Sequence, residues 1–484
     1  MLNLSLQLKL ILLPLYWLCG IQIFFSVLSL FVFNDRVASP FFWPAFCLLL
    51  VAIIFQIRSS SLRLAHINMR DALAFAVSTW SLAGLVAALP LYFIVDLSYT
   101  DAVFEAISAL TTTGATVIVG LDDLPPTLLL YRQFLQWVGG LGVVIFVVAI
   151  LPMLNVGGMR LLRAETPGPI KDDKIAPRIT STSRYLWGIY CAITLMCAAA
   201  YWAAGMSVFD AFGHAFTTVS TGGFSTHDAS MGYFNSNTLL WLANLFMLLG
   251  SISFALHFHL VHGKRALDYL RDEETRAFIL SIVVFSLLMF AIIFHQVSYA
   301  DNLTTLSQAV FHTISFMTST GYGATDLSAW PSATIALLII ASYLGGCAGS
   351  TAGGNKVIRN VLTFKIIRQQ LVKAIHPRAI VNVKLQGRAV PESLLTTVLT
   401  FMVLVAMTTI IFTFLLMLTG LPFLESFSAV SACINVLGPA FGSLSSNFIP
   451  VTDAGIWLLN LAMILGRLEY FTLLALLIPK FWRY

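Results

Sequence analysis

Long apolar segments alternate along this chain with shorter, half-polar ones. Two apolar segments lead, at 10–33 and 41–57, and further long segments begin near Ala72, Tyr185, Phe278 and Leu394. Each of these four is followed by a short segment and then by a second long one, beginning near Leu128, Thr238, Ser332 and Ile456. Because about 20 apolar helical residues cross a bilayer, the pattern predicts ten spans: two leading ones and two in each of four repeated units.

The repeat sets the predicted boundaries. Residues 1–70 hold the two leading spans, and the four units cover 71–160, 184–265, 275–373 and 391–484. The predicted fold is an all-α integral membrane protein with fourfold pseudo-symmetry. Its unit is span, pore loop, span, and each pore loop is a re-entrant half-helix.

Composition agrees with a membrane protein. Of the 484 residues, 58% are hydrophobic and 10% are charged, whereas soluble domains carry roughly 25% charged residues. A cytoplasmic N-terminus places all Lys and Arg in inner loops or span ends except Arg36, Arg132 and Arg467, as the positive-inside rule requires. The four short segments then lie on the outer side, in a predicted acidic vestibule that would concentrate cations. Its acids are those of the outer segments: Asp35, Asp96, Asp101, Glu105, Asp122, Asp123, Asp210, Asp228, Asp301, Asp326, Glu425 and Asp453. We therefore expect a multi-pass protein of the inner (plasma) membrane. Topology explains its basic residues, so no nucleic-acid partner is expected.

The four short segments carry the candidate chemistry, and they occupy 101–115, 210–223, 306–323 and 423–438. Each has about ten residues of helical pattern, too few to span a membrane, and ends in hydroxyl-rich residues and a glycine. A half-helix entering from outside points its negative C-terminal end inward, where a cation is stabilised. Backbone carbonyls beyond it can replace a cation's hydration shell, and glycine allows the positive φ that turns them to the axis.

An ungapped alignment of the short segments puts Gly114, Gly222, Gly321 and Gly438 at one position. The predicted potassium-binding filter consists of these glycines and the three residues before each of them: Thr111, Thr112, Thr113, Val219, Ser220, Thr221, Thr318, Ser319, Thr320, Asn435, Val436 and Leu437. The alternative is that these small residues only pack one helix against another. Four copies in register favour the filter.

These motifs resemble the four filters of the Trk/Ktr/HKT superfamily of potassium transporters. They read Thr-Thr-Gly-Ala at 112–115, Ser-Thr-Gly-Gly at 220–223, Ser-Thr-Gly-Tyr-Gly at 319–323 and Asn-Val-Leu-Gly-Pro at 435–439. The two extra N-terminal spans and the length resemble the bacterial TrkH branch most closely. In that superfamily a serine at the first filter glycine accompanies sodium permeation, so Gly114 implies potassium. The fourth motif departs most from the pattern, with Leu437 and Pro439 beside its glycine.

A candidate gate interrupts the second long segment of the third unit. Residues 345–354 hold five glycines, which would unwind a helix because each costs about 1 kcal/mol relative to alanine, and a loop at that depth must line a cavity. The resemblance implies an intramembrane loop that obstructs the pore. The alternative is a kink without a regulatory role. The candidate gate residues are Gly345, Gly346, Gly349, Ser350, Thr351, Gly353, Gly354 and Lys356.

Arg467 is the second gate candidate, because it lies within the last apolar segment. An arginine inside a membrane is costly unless it is paired or hydrated, and it marks a functional site by default. Facing the pore, it would repel cations. The alternative is a structural ion pair with Glu469 or another partner.

The sequence thus predicts gated, channel-like potassium uptake by a protein that is not an enzyme. No structural metal and no cofactor are expected, K⁺ being the transported ion. The resemblance implies a homodimer that binds a cytoplasmic TrkA-type nucleotide-sensing regulatory subunit. A sodium-permeable or proton-coupled carrier of the same fold stays open as an alternative. A membrane-embedded enzyme would require converging His, Asp or Glu at one depth, a pattern the sequence lacks.

Overall fold

The computed structural model describes residues 4–58, 69–145, 179–263, 267–297, 299 and 301–483. This part of the chain is mostly helical, and its one pair of strands is a short hairpin, Lys384–Leu385 with Arg388–Ala389. The predicted end of unit 1, residues 146–160, lies outside the described residues. Most of the basic loops at 58–70 and 160–184 also lies outside the described residues.

Six helices in the described part of the chain are long and apolar enough to cross a membrane: Leu10–Phe33, Ala38–Arg58, Leu73–Ile94, Tyr185–Ala203, Glu273–Gln296 and Glu392–Met417. Two further helix pairs pass the same test together but are sharply bent, which raises the number to eight. Large apolar side chains such as Phe31, Leu287 and Ile410 are well exposed on the outer faces, as expected where the solvent is lipid. The chain is therefore a multi-pass membrane protein.

Two leading helices pack on the first unit. They are α1 (Leu4–Leu28), extended by a π-helical turn at Ser29–Phe33, and α2 (Ala38–Arg58). Both contact α3 (Met69–Ile94). Unit 1 continues with the short helix α4 (Tyr99–Leu110) and with α5 (Pro126–Ile145).

Unit 2 has the same order of elements. It consists of α6 (Ile179–Ala203), the short helix α7 (Val208–Val219) and α8 (Asn237–Ser251), and α9 (Phe254–Gly263) follows the last of these. The small helix α10 (Leu267–Arg271) then leads to unit 3.

Unit 3 differs in its second long segment, which is split in two. It contains α11 (Glu273–Gln296), the short helix α12 (Asn302–Met317), α13 (Ser332–Ser342) and α14 (Val357–Ile375). The predicted glycine-rich break separates α13 from α14.

Unit 4 follows the hairpin. It contains α15 (Glu392–Met417), the short helix α16 (Phe423–Ile434), α17 (Asp453–Arg467) and α18 (Phe471–Leu477), and α19 (Pro479–Arg483) follows.

The short helices α4 and α7 begin at serine caps. The Ser98 hydroxyl accepts a hydrogen bond from Asp101 N (3.1 Å), and the Ser207 hydroxyl accepts one from Asp210 N (3.0 Å). Each serine donates in return to the aspartate carboxylate. These caps satisfy backbone donors that the first turn leaves free. Their carboxylates also lie where the helix dipole is positive, so two acids of the predicted outer vestibule have a local structural role.

The second long segments of units 2 and 4 are bent rather than straight. The axis turns by 95° between α8 and α9 and by 120° between α17 and α18. At the second bend Glu469 and Tyr470 have positive φ angles of 55° and 31°, which a right-handed helix cannot accommodate. The predicted last span is therefore broken at its arginine: Arg467 is the last residue of α17 and lies at the bend between the two helices.

Candidate functional site

The four short helices end in the same way. In each, the second residue beyond the helix has a positive φ: Thr112 (58°), Thr221 (53°), Ser319 (59°) and Val436 (57°). The N–H of the next residue then bonds to a carbonyl five residues back, in the pairs Thr113–Ser108, Gly222–Thr217, Thr320–Ser315 and Leu437–Ala432, at 2.8 to 2.9 Å. These two features define the register of the four segments independently of side-chain identity.

This register corrects the predicted alignment of unit 2 by one residue. Gly223, with φ of 79°, is the counterpart of Gly114, Gly321 and Gly438, whose φ angles are 82°, 78° and 97°. Gly222 instead matches Thr113, and Val219 is the last residue of α7. The sequence motif misled because two consecutive glycines follow Ser220 and Thr221, and the Ser-Thr-Gly match selects the first of them.

We call the four glycines of this register the ring glycines. Each lies against the next unit, from unit 1 through unit 4 and back to unit 1, so their contacts form a closed cycle. A Cβ atom added to any of them would lie closer than 3 Å to one carbonyl oxygen of the next unit. The pairs are Gly114 with Gly222 O, Gly223 with Thr320 O, Gly321 with Leu437 O and Gly438 with Thr113 O. Those four carbonyls, the ring carbonyls, therefore lie around one centre. The ring glycines touch neighbouring extended segments rather than helices, unlike glycines that only pack one helix on another.

Helix-packing glycines exist as well, at other positions. A Cβ on Gly139, Gly250 or Gly466 would collide with the last carbonyl of α4, α7 or α16. Small residues there let the second long helix of units 1, 2 and 4 approach the end of its own short helix.

The residues that precede the ring glycines form different hydrogen bonds in different units. The hydroxyls of Thr111 and Thr113 are 2.7 Å apart, and those of Thr318 and Thr320 are 2.8 Å apart. In unit 4, Asn435 donates to the Ser342 hydroxyl (3.1 Å) instead. The twelve predicted filter residues that precede the aligned glycines are all buried.

A cavity of about 660 Å³ opens on one side of the ring, and all four ring glycines line it. Of the carboxylates predicted for an acidic vestibule, Asp228 and Asp326 line this cavity. His227 lines it too and pairs with Asp122, whose pKa this hydrogen bond lowers. Fewer of the predicted acids line the cavity than the sequence indicates, since Asp101, Asp210 and Asp301 take part in helix caps.

Glu105 was expected in that vestibule, but it is fully buried behind the first filter segment. It forms an ion pair with Arg132, whose Nε lies 2.8 Å from the Glu105 carboxylate. The same carboxylate accepts hydrogen bonds from Val117 N (3.1 Å) and the Thr116 hydroxyl (2.9 Å). Thr116 O in turn accepts from Phe448 N of unit 4 (2.9 Å). The pair therefore braces the backbone just beyond Gly114.

We expect Arg132→Met to destabilise the protein by about 3–5 kcal/mol, because it leaves the Glu105 carboxylate buried without its cation. The measurement is the thermal unfolding midpoint of the purified protein in detergent. Combining Arg132→Met with Glu105→Gln should restore most of the loss, since a neutral amide still accepts from Val117 N. An unchanged midpoint for Arg132→Met would contradict the bracing role.

The sequence did not reveal a second group of hydrogen bonds that supports the filter segments, at Tyr322 in unit 3. Its buried hydroxyl lies 3.1 Å from the Thr218 hydroxyl and donates to His214 O at 3.1 Å. Tyr201 also reaches Thr218 (2.9 Å). The signal was present in the sequence as a tyrosine directly after a ring glycine, but only the fold brings it against α7.

The predicted gate residues form a loop on the side of the ring opposite the cavity. We call residues 345–354 the glycine loop. The Thr351 hydroxyl lies 2.9 Å from Val219 O, at the end of α7. The Ser319 hydroxyl reaches Gly353 O (3.4 Å). Gly354 packs so closely on Asn435 O that an added Cβ would lie 2.8 Å away. The loop thus contacts the filter segments of units 2, 3 and 4.

Glycine is required at several loop positions. Gly345, Gly349 and Gly354 have positive φ angles of 72°, 72° and 66°, a region that costs other residues energy. At Gly346 and Gly353 an added Cβ would crowd the side chains of Ala352 and Val436. Ser350 closes a turn by donating to Cys347 O (2.6 Å).

Both predicted gate cations reach this loop. Arg467 donates from Nη1 to Thr351 O (3.1 Å) and from Nη2 to Gly139 O of unit 1 (3.2 Å). Lys356 Nζ donates to Ala352 O, the next carbonyl along the loop. The alternative that Arg467 pairs with Glu469 is wrong, because Glu469 pairs with Arg359 at 2.8 Å.

Fold and site together define a multi-pass helical membrane protein in which four short helices end around one ring of backbone carbonyls. The family model for TrkH, described as a cation transport protein, matches residues 45–484. The chain belongs to this family.

Similar proteins include two named Trk system potassium uptake protein TrkH. The one from Vibrio parahaemolyticus is 45% identical over 86% of this chain and 87% of its own length. The one from Escherichia coli K12 is 44% identical over the same shares. The solved crystal structure of the potassium transporter TrkH from Vibrio parahaemolyticus matches with a TM-score of 0.91 and 39% identity, covering 100% of both chains.

Proposed function

We propose that this protein carries potassium into the cell through a gated, channel-like pathway along the axis of the ring carbonyls. The closed cycle of the ring glycines carries the proposal. Four carbonyl oxygens directed at one centre can take the place of water around a dehydrated monovalent cation. The four short helices end at this ring, so their negative dipole ends favour a cation there.

The filter is proposed to consist of the four ring glycines and the three residues before each of them. Relative to the sequence prediction, the filter of unit 2 then shifts to Ser220, Thr221, Gly222 and Gly223, while the other three units keep their predicted residues. Potassium is favoured over sodium because similar proteins are named potassium uptake proteins.

The glycine loop is proposed as the gate. It lies against the inner ends of three filter segments, and Arg467 and Lys356 attach to its adjacent carbonyls Thr351 O and Ala352 O. Two cations at the exit of a cation pathway raise the barrier to conduction. Displacing the loop would move both its backbone and these charges.

In the cell we propose ten spans in the inner membrane, with the N-terminus in the cytoplasm, on the strength of the charge pattern. The protein is proposed to act as a homodimer with a cytoplasmic TrkA-type nucleotide-sensing subunit. The name "Trk system" that these relatives carry supports a multi-component assembly. No cofactor is proposed for this chain.

The test is uptake of rubidium into proteoliposomes, with potassium or sodium as the external competitor. We expect potassium to compete at least about tenfold better than sodium, a difference of ~1.4 kcal/mol in binding. A Gly114→Ser variant should reduce that ratio, because serine is strained at a φ of 82°. Equal competition would contradict potassium selectivity. Flux that follows a proton gradient at zero voltage would favour the carrier alternative.

A further inference from the structure

Of the four residues that carry the ring carbonyls, the one in unit 2 has no side chain. Unit 2 has Gly222 where the other units have Thr113, Thr320 and Leu437. The φ angle of Gly222 is not positive, so backbone conformation does not require glycine there. The space is already occupied: an added Cβ would lie 2.5 Å from both Cδ and Oε1 of Gln136.

Gln136 comes from α5 of unit 1 and is fully buried. Its Nε2 donates to Gly222 O at 2.7 Å, and its Oε1 accepts from Phe224 N at 3.1 Å. One amide therefore bonds to the carbonyl before Gly223 and to the N–H after it. It lies behind the segment, in the volume that a threonine side chain takes in units 1 and 3.

We propose that Gln136 is a positioning residue that sets the selectivity of the ring, an inference that rests on the proposed potassium pathway. Gly222 O is a ring carbonyl, next to Gly114 of the neighbouring unit. The hydrogen bond from the amide fixes the direction of this carbonyl and occupies one of the two lone pairs of its oxygen, which are also the groups that coordinate a cation. One of the four ring carbonyls is thereby held more rigidly, and coordinates a cation less strongly, than the other three.

The amide also compensates for a missing side chain. In units 1 and 3 the threonines at this layer bond to another hydroxyl of their own segment. Unit 2 lacks that internal bond, because glycine has no hydroxyl. A neighbouring unit supplies the support instead, and this couples the first and second units directly at the filter.

The first experiment replaces Gln136 by alanine and measures rubidium uptake with potassium and sodium competitors. Losing one buried hydrogen bond to the ring should reduce the potassium-over-sodium ratio roughly tenfold. Gln133→Ala is the matched control: Gln133 is also fully buried on α5, but it contacts Gly213 of the short helix and donates to Phe224 O (3.5 Å), which is not a ring carbonyl. It should leave the ratio unchanged.

A swap experiment separates positioning from simple loss of folding. Gly222→Thr alone should lose uptake, because its side chain collides with Gln136. The double variant Gln136→Ala with Gly222→Thr gives unit 2 the residue of units 1 and 3 in the vacated space. We expect it to regain the uptake that Gly222→Thr loses, with a selectivity ratio closer to that of the unchanged protein than Gln136→Ala has. A double variant that stays as inactive as Gly222→Thr would contradict this use of the space.

Potassium-dependent thermal stabilisation in detergent provides a readout that needs no open gate. Potassium should raise the unfolding midpoint of the unchanged protein at concentrations where sodium does not. In Gln136→Ala the difference between the midpoints in potassium and in sodium should be smaller. If Gln136→Ala keeps both the ratio and the stabilisation, the positioning role is overturned while the proposed function stands. If the unchanged protein distinguishes the two ions in neither assay, the proposed function itself fails.

Discussion

Replacing Gly223 by alanine is expected to abolish potassium uptake in a protein that still folds. Its Cβ would collide with Thr320 O, a ring carbonyl of the next unit, and a φ of 79° strains any residue but glycine. Because Thr320 O belongs to the proposed filter and would lose its place in the ring if it moved aside, we expect at least about a hundredfold loss of rubidium uptake, equivalent to ~2.8 kcal/mol in the conduction barrier.

A second glycine in the same region gives the matched control. Gly323 lies two residues beyond the ring glycine of unit 3, its φ is not positive and an added Cβ meets no atom within 4 Å. Gly323→Ala should therefore retain uptake. Full activity of Gly223→Ala, or equal loss in both variants, would show that close packing at the ring does not determine conduction.

Replacing Arg467 by alanine is expected to increase potassium uptake roughly tenfold or more. Arg467 joins the glycine loop to α5 through Thr351 O and Gly139 O. Its removal deletes a positive charge near the proposed pathway and frees one side of the loop. A unit charge about 6 Å from a cation contributes ~3 kcal/mol at an effective dielectric constant near 20.

The charge-conserving variant distinguishes the two parts of this effect. Arg467→Lys keeps the cation but cannot span both carbonyls with a guanidinium. Uptake close to that of the unchanged protein would assign the barrier to charge, whereas an increase like that of alanine would assign it to the lost connection. Decreased uptake in a monodisperse Arg467→Ala protein would contradict a role in closing the pathway.

Several features of the site were predictable because they depend on local rules. Short helices are predicted where an apolar segment is too brief to span, and the structure has helices of 12, 12, 16 and 12 residues there. Five glycines within residues 345–354 predict a broken helix, and α13 and α14 are separated at that place. Composition alone indicates a membrane protein.

Other features could not be predicted, since they depend on contacts between distant units. The alignment of unit 2 failed because side-chain identity cannot decide between two adjacent glycines, while the hydrogen bond from Gly222 N to Thr217 O does. Glu105 appeared to be an exposed acid until the fold placed it on Arg132. Glu469 lies two residues after Arg467 in sequence, but the bend after α17 turns it toward Arg359 instead.

The sequence by itself determined the class of protein, the fourfold repetition and the positions of the short helices, because hydrophobic length and glycine content act within one segment. Tertiary structure alone decided which carbonyls form the ring, which acids line the cavity and which partners Arg467 and Gln136 have. Those outcomes depend on the packing of four units around one centre. In that arrangement an alignment error of one residue in unit 2 confuses Gly223 with Gly222. An added Cβ at Gly223 would collide with Thr320 O, whereas Gly222 leaves space for the Gln136 side chain of unit 1.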